Sequence, residues 1–427
     1  MTHYTGYRRL AALLCAVAAV PACSPPPARS ALPPSSGDVQ LAVVGSLNRM
    51  PSLASAGARV AVAWTSTNND VMDAYVAISD DAGVTFREPI RVNHIPGDVS
   101  SNAEQPPRVS INGTAITVIW PSRRDGAAAI RVARSTDDGR TFLPAANLHE
   151  AALTGLRGWQ GLAPGLNGGF LAVWLDGRHA APSTESHRHH ASRGPSTPHG
   201  SKTSAPRQDV YAAMLLSDGA IVESHVARDV CFCCKAAIGL GPSGRVSVAW
   251  RHIFADSMRD IAMATSIDQG RTFGPAARVS EDNWQLSGCP DDGPSLAVDA
   301  RDVVHVAWPT FLSDSKQKAV FYTWTADARS FAPRIRLSGS DREDAGHPQI
   351  ALDGAGAVAV VWDEQRGDDR KIVVRRAAGR GEFGAAEVLN ASGTALHPVV
   401  AGLQKGFLVA WPESADGRSS IRIRRIR

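Results

Sequence analysis

The sequence predicts an all-β protein folded as a β-propeller of four-stranded blades, and three observations lead to that prediction. A short run of β-branched and alanine residues that ends in tryptophan occurs seven times, at Trp64, Trp120, Trp174, Trp250, Trp308, Trp362 and Trp411. Most copies are spaced by roughly 50 to 60 residues, which indicates an array of one supersecondary unit. Each unit contains four short strand patterns, and radial repetition of four-stranded sheets builds a propeller.

The unit is clearest between residues 51 and 93, where the segments PSLASAG, ARVAVAW, DAYVAIS and REPIRVN follow one another as strands. The last unit has only three strand segments, PVVAGL, GFLVAW and SIRIRRI. The segment VQLAVV, near residues 39 to 44, precedes the first unit at the place where a fourth strand belongs. We therefore expect this N-terminal strand to complete the last blade and close a ring of seven blades, with six blades as the alternative.

Composition restricts the classes of partner. The 427 residues include 45 Lys and Arg and 41 Asp and Glu, which are interspersed and leave a formal net charge of +4. Because no basic face stands out, we expect no nucleic-acid partner. No apolar stretch inside the body approaches the roughly 20 residues of a membrane helix. We expect the folded domain to be a monomer, because its ring of blades closes within one chain.

The N-terminal segment resembles the signal of a bacterial lipoprotein. Arg8 and Arg9 precede the apolar run LAALLCAVAAV, and small residues lead to Cys23. Residues 1–22 are therefore predicted to be a signal peptide, and the sulfur of Cys23 is predicted to carry a lipid that anchors the chain to the cell envelope, on the periplasmic side or at the cell surface. Residues 23–37 form a Pro/Ser-rich tether, and residues 38–427 form a single propeller domain.

A turn motif between the third and fourth strands is the most specific pattern in the chain. The motif S-x-D-x-G-x-T-F occurs as SDDAGVTF, STDDGRTF and SIDQGRTF, and TADARSF is a degenerate copy. Its aspartate is suited to accept backbone N–H bonds across a tight turn, and its glycine permits positive φ. The motif resembles the Asp-box, or BNR repeat, of sialidase-like propellers, with structural aspartates at Asp81, Asp137, Asp268 and Asp327. It occurs in enzymes and binding proteins alike, so it indicates a fold and no particular activity.

Cysteines and histidines cluster on one face of the predicted ring. Because strands alternate in direction, the linkers between blades and the loops after each tryptophan share one face, called the top face here. The linkers into blades four and five contain DVCFCCKAA and SGCPDDGP, and those into blades six and seven place a histidine before a proline. Thiolates and imidazoles converging on one central mouth suit copper or zinc. The predicted metal ligands are Cys231, Cys233, Cys234, Cys289, His347 and His397.

Disulfides are the alternative interpretation of the same cysteines, because cysteines outside the cytoplasm are commonly paired. A bridge within Cys231, Cys233 and Cys234 requires strained geometry, so a bridge from this cluster to Cys289 is the least strained option. A disulfide-stabilised interaction scaffold is therefore the alternative to a metal-binding protein.

A His-rich insertion follows the third tryptophan. Residues 178–207 contain five histidines in a Ser/Pro/Gly background and are expected to be disordered. These histidines either bind metal transiently or are incidental in a solvated loop.

The blade pattern makes nearly the whole mature chain similar to sialidases. That family binds the substrate carboxylate with three arginines, the first in an R-I-P motif, which resembles the RMP segment at Arg49. The resemblance implies carboxylate binding by Arg49 and Arg251 and an acid/base role for Asp70 or Asp73. The family's late tyrosine nucleophile has no counterpart, because the last tyrosine, Tyr322, falls inside a predicted strand.

We therefore expect the mouth to bind a metal ion, a glycan or another small ligand without sialidase catalysis. The alternative enzyme is an exo-sialidase-type glycoside hydrolase that acts on acidic glycans.

Overall fold

The computed structural model describes residues 1–2, 37–124, 128–150, 155–179, 208–285, 292–311, 317–339, 344–415 and 417–427. Within these ranges the chain forms seven antiparallel sheets of four strands each, arranged around a common axis. The predicted seven-bladed propeller is confirmed, and the alternative of six blades is wrong. Residues 36–427 belong to one compact unit.

The strands follow one another outwards from the axis in every blade. Blades one to three contain β2 (Leu47–Ala56), β3 (Arg59–Asn68), β4 (Val71–Ser79) and β5 (Ile90–Arg91); β6 (Arg108–Asn112), β7 (Ala115–Ser122), β8 (Ala129–Ser135) and β9 (Ala146–Asn147); β10 (Arg157–Pro164), β11 (Phe170–Asp176), β12 (Gln208–Leu215) and β13 (Ile221–Val230). Blades four to six contain β14 (Ala237–Leu240), β15 (Val246–Arg251), β16 (Ile261–Ser266) and β17 (Ala277–Arg278); β18 (Ser295–Val298), β19 (Val304–Phe311), β20 (Lys318–Thr325) and β21 (Ile335–Arg336); β22 (Ala345–Leu352), β23 (Val358–Arg366), β24 (Asp369–Ala377) and β25 (Glu387–Val388). Blade seven contains β26 (Val399–Gly402), β27 (Phe407–Ala415), β28 (Arg418–Ile426) and β1 (Val39–Leu41).

The N-terminal strand closes the ring, as predicted. Strand β1 pairs antiparallel with β28, so that Val39 lies opposite Ile423. Just before β1, the buried carboxylate of Asp38 pairs with the guanidinium groups of Arg422 and Arg424. Inner strands of neighbouring blades contact one another all round, including β26 against β2. Both ends of the folded body therefore stabilise the same blade.

The repeated tryptophans pack between blades. All seven side chains are at most 1% exposed. Trp64 of blade one packs with Leu408 and Ala410 of blade seven, and the same offset recurs in the other interfaces. The indole N–H of Trp64 donates to Asn48 Oδ1 at 2.9 Å, which satisfies the polar atom that burial removes from water. The sequence repeat is therefore the repeat of the interface between blades.

The S-x-D-x-G-x-T-F turns are held by their aspartates. Asp81 Oδ1 accepts the Ser79 hydroxyl at 2.7 Å and the backbone N–H of Thr85 at 2.8 Å, while the Thr85 hydroxyl donates to Oδ2. The bond from the Thr85 hydroxyl is the main reason why the pKa of Asp81 falls to about 2. The same pattern recurs at Asp137 and Asp268, whereas Asp327 accepts mainly backbone N–H groups.

Several predicted segments lie outside the described residues: the signal peptide apart from its first two residues, Cys23, most of the tether, Cys289 and the insertion beyond residue 179. Across the part of the chain that the structure describes, no helix is long and apolar enough to cross a membrane. The predicted anchor and the predicted disorder of residues 178–207 thus stay predictions.

Candidate functional site at the axial mouth

The axial mouth is built from linkers between blades and from the first residues of inner strands. Its described lining includes Met50, Glu104, Arg108, Lys235, His347 and His397. These side chains come from five different blades. The cavity measures about 20 Å³, which is room for one water molecule or one ion and too little for a sugar ring.

Two histidines reach the mouth from left-handed backbone. His347 has φ 55° and His397 has φ 53°, and each precedes a proline, a position that normally favours extended backbone. Such conformations cost about 1 to 3 kcal/mol and persist where the surroundings hold them. Carboxylates of the preceding blades do so here, because Asp292 Oδ2 accepts the N–H of His347 at 2.7 Å and Asp363 Oδ2 accepts the N–H of His397 at 2.8 Å.

The same bulge recurs where no histidine stands. Met50 in β2 and Trp159 in β10 also have positive φ, and the pairing register shifts at the same place in both strands. The N–H of Trp159 donates to Gln105 Oε1 at 3.1 Å, in the way that His347 and His397 donate to carboxylates. The fold thus supplies a bulge that faces the axis, and blades six and seven place an imidazole on it.

Glu104 completes a group of three ligand-type side chains. His347 Nε2 lies 3.0 Å from Glu104 Oε1, and His397 Nδ1 lies 3.6 Å from the same oxygen. The imidazole centroids are 3.9 Å apart, and one ligand atom from each side chain lies within 4.8 Å of the others. Glu104 belongs to the linker into blade two, and it meets side chains of blades six and seven only because the ring closes. All three side chains are about one-fifth exposed, at 17 to 22%.

Asp363 orients the first imidazole. Its Oδ2 lies 2.7 Å from His347 Nδ1, and its other oxygen pairs with Arg370 at 2.6 Å. Because Nδ1 is held by the carboxylate, Nε2 points at Glu104, which is the arrangement of metal-bound histidines backed by a carboxylate. Burial lowers the pKa of His347, but the Asp363 and Asp292 carboxylates outweigh it and raise the pKa to about 10. Burial and the neighbouring His347 lower the pKa of His397 to about 4.

Asp292 lies between this group and the cysteines. Its carboxylate accepts the N–H of His347 and lies 3.6 Å from Lys235 Nζ. On the other side, its carbonyl accepts a bond from Arg251 Nε at 3.3 Å, and its backbone N–H bonds to Cys234. Asp292 is fully buried and bonds to a member of each cluster.

The three described cysteines form a buried cluster. Cys231, Cys233 and Cys234 are at most 2% exposed, and their sulfurs lie 3.8 to 4.0 Å apart. Cys231 and Cys234 are free, whereas Cys233 is disulfide-bonded. Arg259 Nη1 donates to Cys231 Sγ at 3.0 Å.

The two free thiols differ in acidity. The bond with Cys234 outweighs burial and, with the charges of Arg259 and Arg251, lowers the pKa of Cys231 to about 6. Burial raises the pKa of Cys234. The cluster therefore holds one thiolate and one thiol side by side.

The structure brings the described members of the expected ligand set together in two groups. The described cysteines form one group and Glu104, His347 and His397 form another, while Cys289 lies outside the described residues. The disulfide at Cys233 also leaves two thiols instead of three at the described cluster. Glu104 was missed, because Gln105 separates it from the proline pair that opens blade two, whereas each histidine stands directly before its proline.

The residues suggested by the sialidase resemblance have other surroundings. Arg49 and Asp70 are exposed, and Asp70 lies in the tight turn after β3. Asp73 accepts bonds from Asn93 and from the backbone of residue 97. Arg251 is buried and donates to three backbone carbonyls. None of these four residues is among the described lining of the mouth.

The last tyrosine does not offer a nucleophile. Tyr322 is fully buried in β20, and its hydroxyl lies 2.7 Å from His305 Nδ1. Burial raises the pKa of this hydroxyl far above its usual range. Tyr322 therefore lies within a blade and is not part of the described lining of the mouth.

Comparison with known proteins shows the fold alone. No protein-family model and no curated protein match the chain. A solved protein of unknown function from Dyadobacter fermentans DSM 18053 is 14% identical, with a TM-score of 0.50 over 92% of this chain and 98% of that one. An ulvan lyase of polysaccharide lyase family PL25 is 11% identical, with a TM-score of 0.53 over 89% and 93%. The Hadza microbial sialidase Hz136 is 14% identical, with a TM-score of 0.46 over 74% and 63%.

Proposed function

We propose that this protein is a metal-binding propeller whose axial mouth holds a divalent zinc or copper ion through Glu104, His347 and His397. The observation that carries the proposal is the convergence of these three ligand atoms within 4.8 Å, with the Asp363 carboxylate behind His347. Two imidazoles and one carboxylate are a common ligand set for zinc, and imidazole also suits copper.

The size of the cavity supports an ion as the occupant. Its volume of about 20 Å³ accommodates one ion, and the three ligand atoms lie on its wall. The bulges at His347 and His397 hold both imidazoles on backbone that has few alternative conformations. Such pre-ordering lowers the entropy that ligand side chains lose when they bind a metal.

Three protein ligands leave a coordination position for a further ligand. The mouth also contains the cations Arg108 and Lys235, which favour a negatively charged group. We therefore propose that the open position takes an anion, such as the carboxylate of an acidic sugar approaching from the top face. This extends the expectation of a small ligand or glycan at the mouth.

The test is metal titration of the mature chain after removal of bound metal with a chelator. Calorimetry with Zn²⁺ and with Cu²⁺ should find a single high-affinity equivalent that is lost in His347→Ala and in His397→Ala. Glu104→Gln keeps the size of the side chain and should weaken binding. The matched control is His225→Ala, since His225 also pairs with a carboxylate, Asp209, but lies outside the described mouth.

Two results would overturn the proposal. One is the absence of a stoichiometric site in the wild type. The other is equal affinity in the wild type and in both histidine variants, which would leave the cluster as an ion-pair network.

The remaining expectations from the sequence accompany this proposal. We propose that Cys289 is the disulfide partner of Cys233, which peptide mapping under non-reducing conditions tests directly. Lipid attachment at Cys23 predicts extraction of the full-length protein into detergent and its release into buffer by Cys23→Ser. An exo-sialidase would hydrolyse a fluorogenic sialoside and lose that activity in Arg49→Ala.

A further inference from the structure

We infer that Cys231 and Cys234 form a redox pair, which a small hydroperoxide converts from two thiols to a disulfide. Their sulfurs lie 3.8 Å apart in a C-x-x-C spacing, and both cysteines are free. A disulfide requires the sulfurs to approach to about 2.0 Å, a movement within reach of side-chain rotation. The pair lies on the far side of Asp292 from the proposed metal ligands, so the inference does not depend on metal binding.

The surroundings of Cys231 favour its thiolate. Arg259 donates a hydrogen bond to Cys231 Sγ at 3.0 Å, and the guanidinium of Arg251 lies close enough to lower the pKa of this thiol further. Arg251 also donates to the carbonyl of Arg259, which positions the second arginine against the sulfur. The thiolate is the nucleophilic form of cysteine, so this contact prepares Cys231 to react.

Cys234 is suited to react with Cys231 once the sulfur of Cys231 has been oxidised. Burial and the neighbouring Cys231 raise the pKa of Cys234 and outweigh the opposite effect of the bond from the backbone N–H of Asp292. It therefore stays a thiol while Cys231 reacts, and it lies in contact with the sulfur that becomes oxidised. A reactive thiolate beside a thiol that resolves it is the arrangement of reversible cysteine oxidation.

The reaction balances with a hydroperoxide, ROOH, as the oxidant. The Cys231 thiolate attacks the terminal peroxide oxygen, the O–O bond breaks, and the departing alkoxide takes a proton to become ROH. The Cys234 sulfur then attacks the sulfenic sulfur of Cys231, the S–O bond breaks, and the leaving hydroxide combines with the Cys234 proton to form water. Two electrons pass from the two sulfurs to the peroxide.

Burial restricts the oxidant to small molecules. Both sulfurs belong to side chains that are 1% exposed, so a protein disulfide cannot approach them without opening the fold. Hydrogen peroxide is close to water in size. The disulfide at Cys233 lies 3.8 Å from Cys231 Sγ, and exchange with that bond is the competing reaction.

The experiment treats the mature chain with hydrogen peroxide after mild reduction that leaves the Cys233 disulfide intact. The expected result is loss of both alkylatable thiols and a decrease in intact mass of about 2 Da, for two hydrogens. Cys234→Ser should instead accumulate a sulfenic acid that dimedone traps on Cys231. Cys231→Ser should not react at Cys234.

Arg259→Gln tests whether this arginine activates the Cys231 thiolate, because the substitution removes the charge and keeps a polar side chain. It should slow thiol loss by roughly tenfold or more, because the thiolate loses its closest cation. Glu104→Gln should oxidise at the wild-type rate even when it fails to bind metal, so the two proposals fail separately.

Three outcomes would overturn the inference, and wild-type measurements alone are enough to detect them. The first is thiol loss that is no faster in the folded protein than in urea. The second is oxidation to sulfonic acid without a disulfide between residues 231 and 234. The third is a bond between Cys231 and Cys233, which would mean exchange with the existing disulfide.

Discussion

The two faces of the propeller use aspartates in opposite ways. On the turn face, Asp81 binds only residues within four positions of itself in the chain. At the mouth, Asp363 holds His347, the backbone of His397 and Arg370, which come from β22, the linker into blade seven and β24. The motif aspartate therefore holds its own turn, whereas Asp363 joins elements of two blades.

The largest expected effect is that of Asp363→Ala. It removes the carboxylate partner of Arg370 and of the His347 imidazole, and it removes the acceptor of the His397 backbone N–H, so we expect a loss of about 3 to 5 kcal/mol in the free energy of unfolding. Urea denaturation measures it. The turn variant Asp268→Ala is the comparison and should shift the urea midpoint much less. Equal shifts would mean that the mouth network is no more important for stability than a turn.

The second-largest expected effect is on metal affinity, which should fall in a variant of the mouth and stay unchanged in a variant of the turn face. Asp363→Asn preserves the shape of the side chain but no longer holds His347 with a charged carboxylate, so we expect affinity to fall by about 10 to 100-fold. Calorimetric titration with Zn²⁺ measures this change. Asp268→Asn on the turn face should bind as the wild type does, and a parallel loss in both variants would point to a global effect on the fold.

Backbone strain gives a smaller and more specific difference. At φ 53°, glycine replaces His397 without the steric cost that alanine retains, so His397→Gly should be more stable than His397→Ala by about 1 kcal/mol. The matched pair at Met50, which has the same positive φ, should show the same order. If alanine were the more stable in both pairs, strain at the bulge would not be present.

The smallest effect concerns acid stability of the turns. The pKa of Asp81 is lowered to about 2 in the folded chain, from 3.8 for an unperturbed side chain. A lowered folded pKa stabilises the fold above the unfolded value, and this contribution disappears as pH falls from about 4 to about 2. Asp81→Asn should therefore show a slightly weaker pH dependence of unfolding in that window, as followed by tryptophan fluorescence. An unchanged profile would mean that the turn bonds persist on protonation.

Much of the fold was predictable because its signals are local. Each repeated tryptophan lies in the second strand of a blade, and its indole packs against the neighbouring blade. The number of repeats in the sequence therefore equals the number of blades. The three-stranded last unit indicated that a strand near residue 39 would complete it, and β1 does. His347 and His397 were also placed together, because both stand before the proline that opens an inner strand.

Other features of the site could not be predicted by aligning the repeats in the sequence. Glu104 meets the histidines only because closure of the ring brings the linker into blade two close to blades six and seven at the axis. The cysteines and the histidines form two groups, and Asp292 bonds to both, to His347 through its carboxylate and to Cys234 through its backbone N–H. Alignment of repeats specifies how far a residue lies along its own strand, but it does not specify depth along the axis or the direction of a side chain.

The sequence by itself determined the number of blades, the strand that closes the ring and the turns held by Asp81, Asp137 and Asp268, because each depends on residues within one repeat or on counting repeats. Tertiary structure alone decided that Glu104 joins His347 and His397 and that Arg259 contacts Cys231. The physical reason is that these contacts connect separate linkers and loops, and only closure of the ring and the packing of its blades bring their side chains within bonding distance.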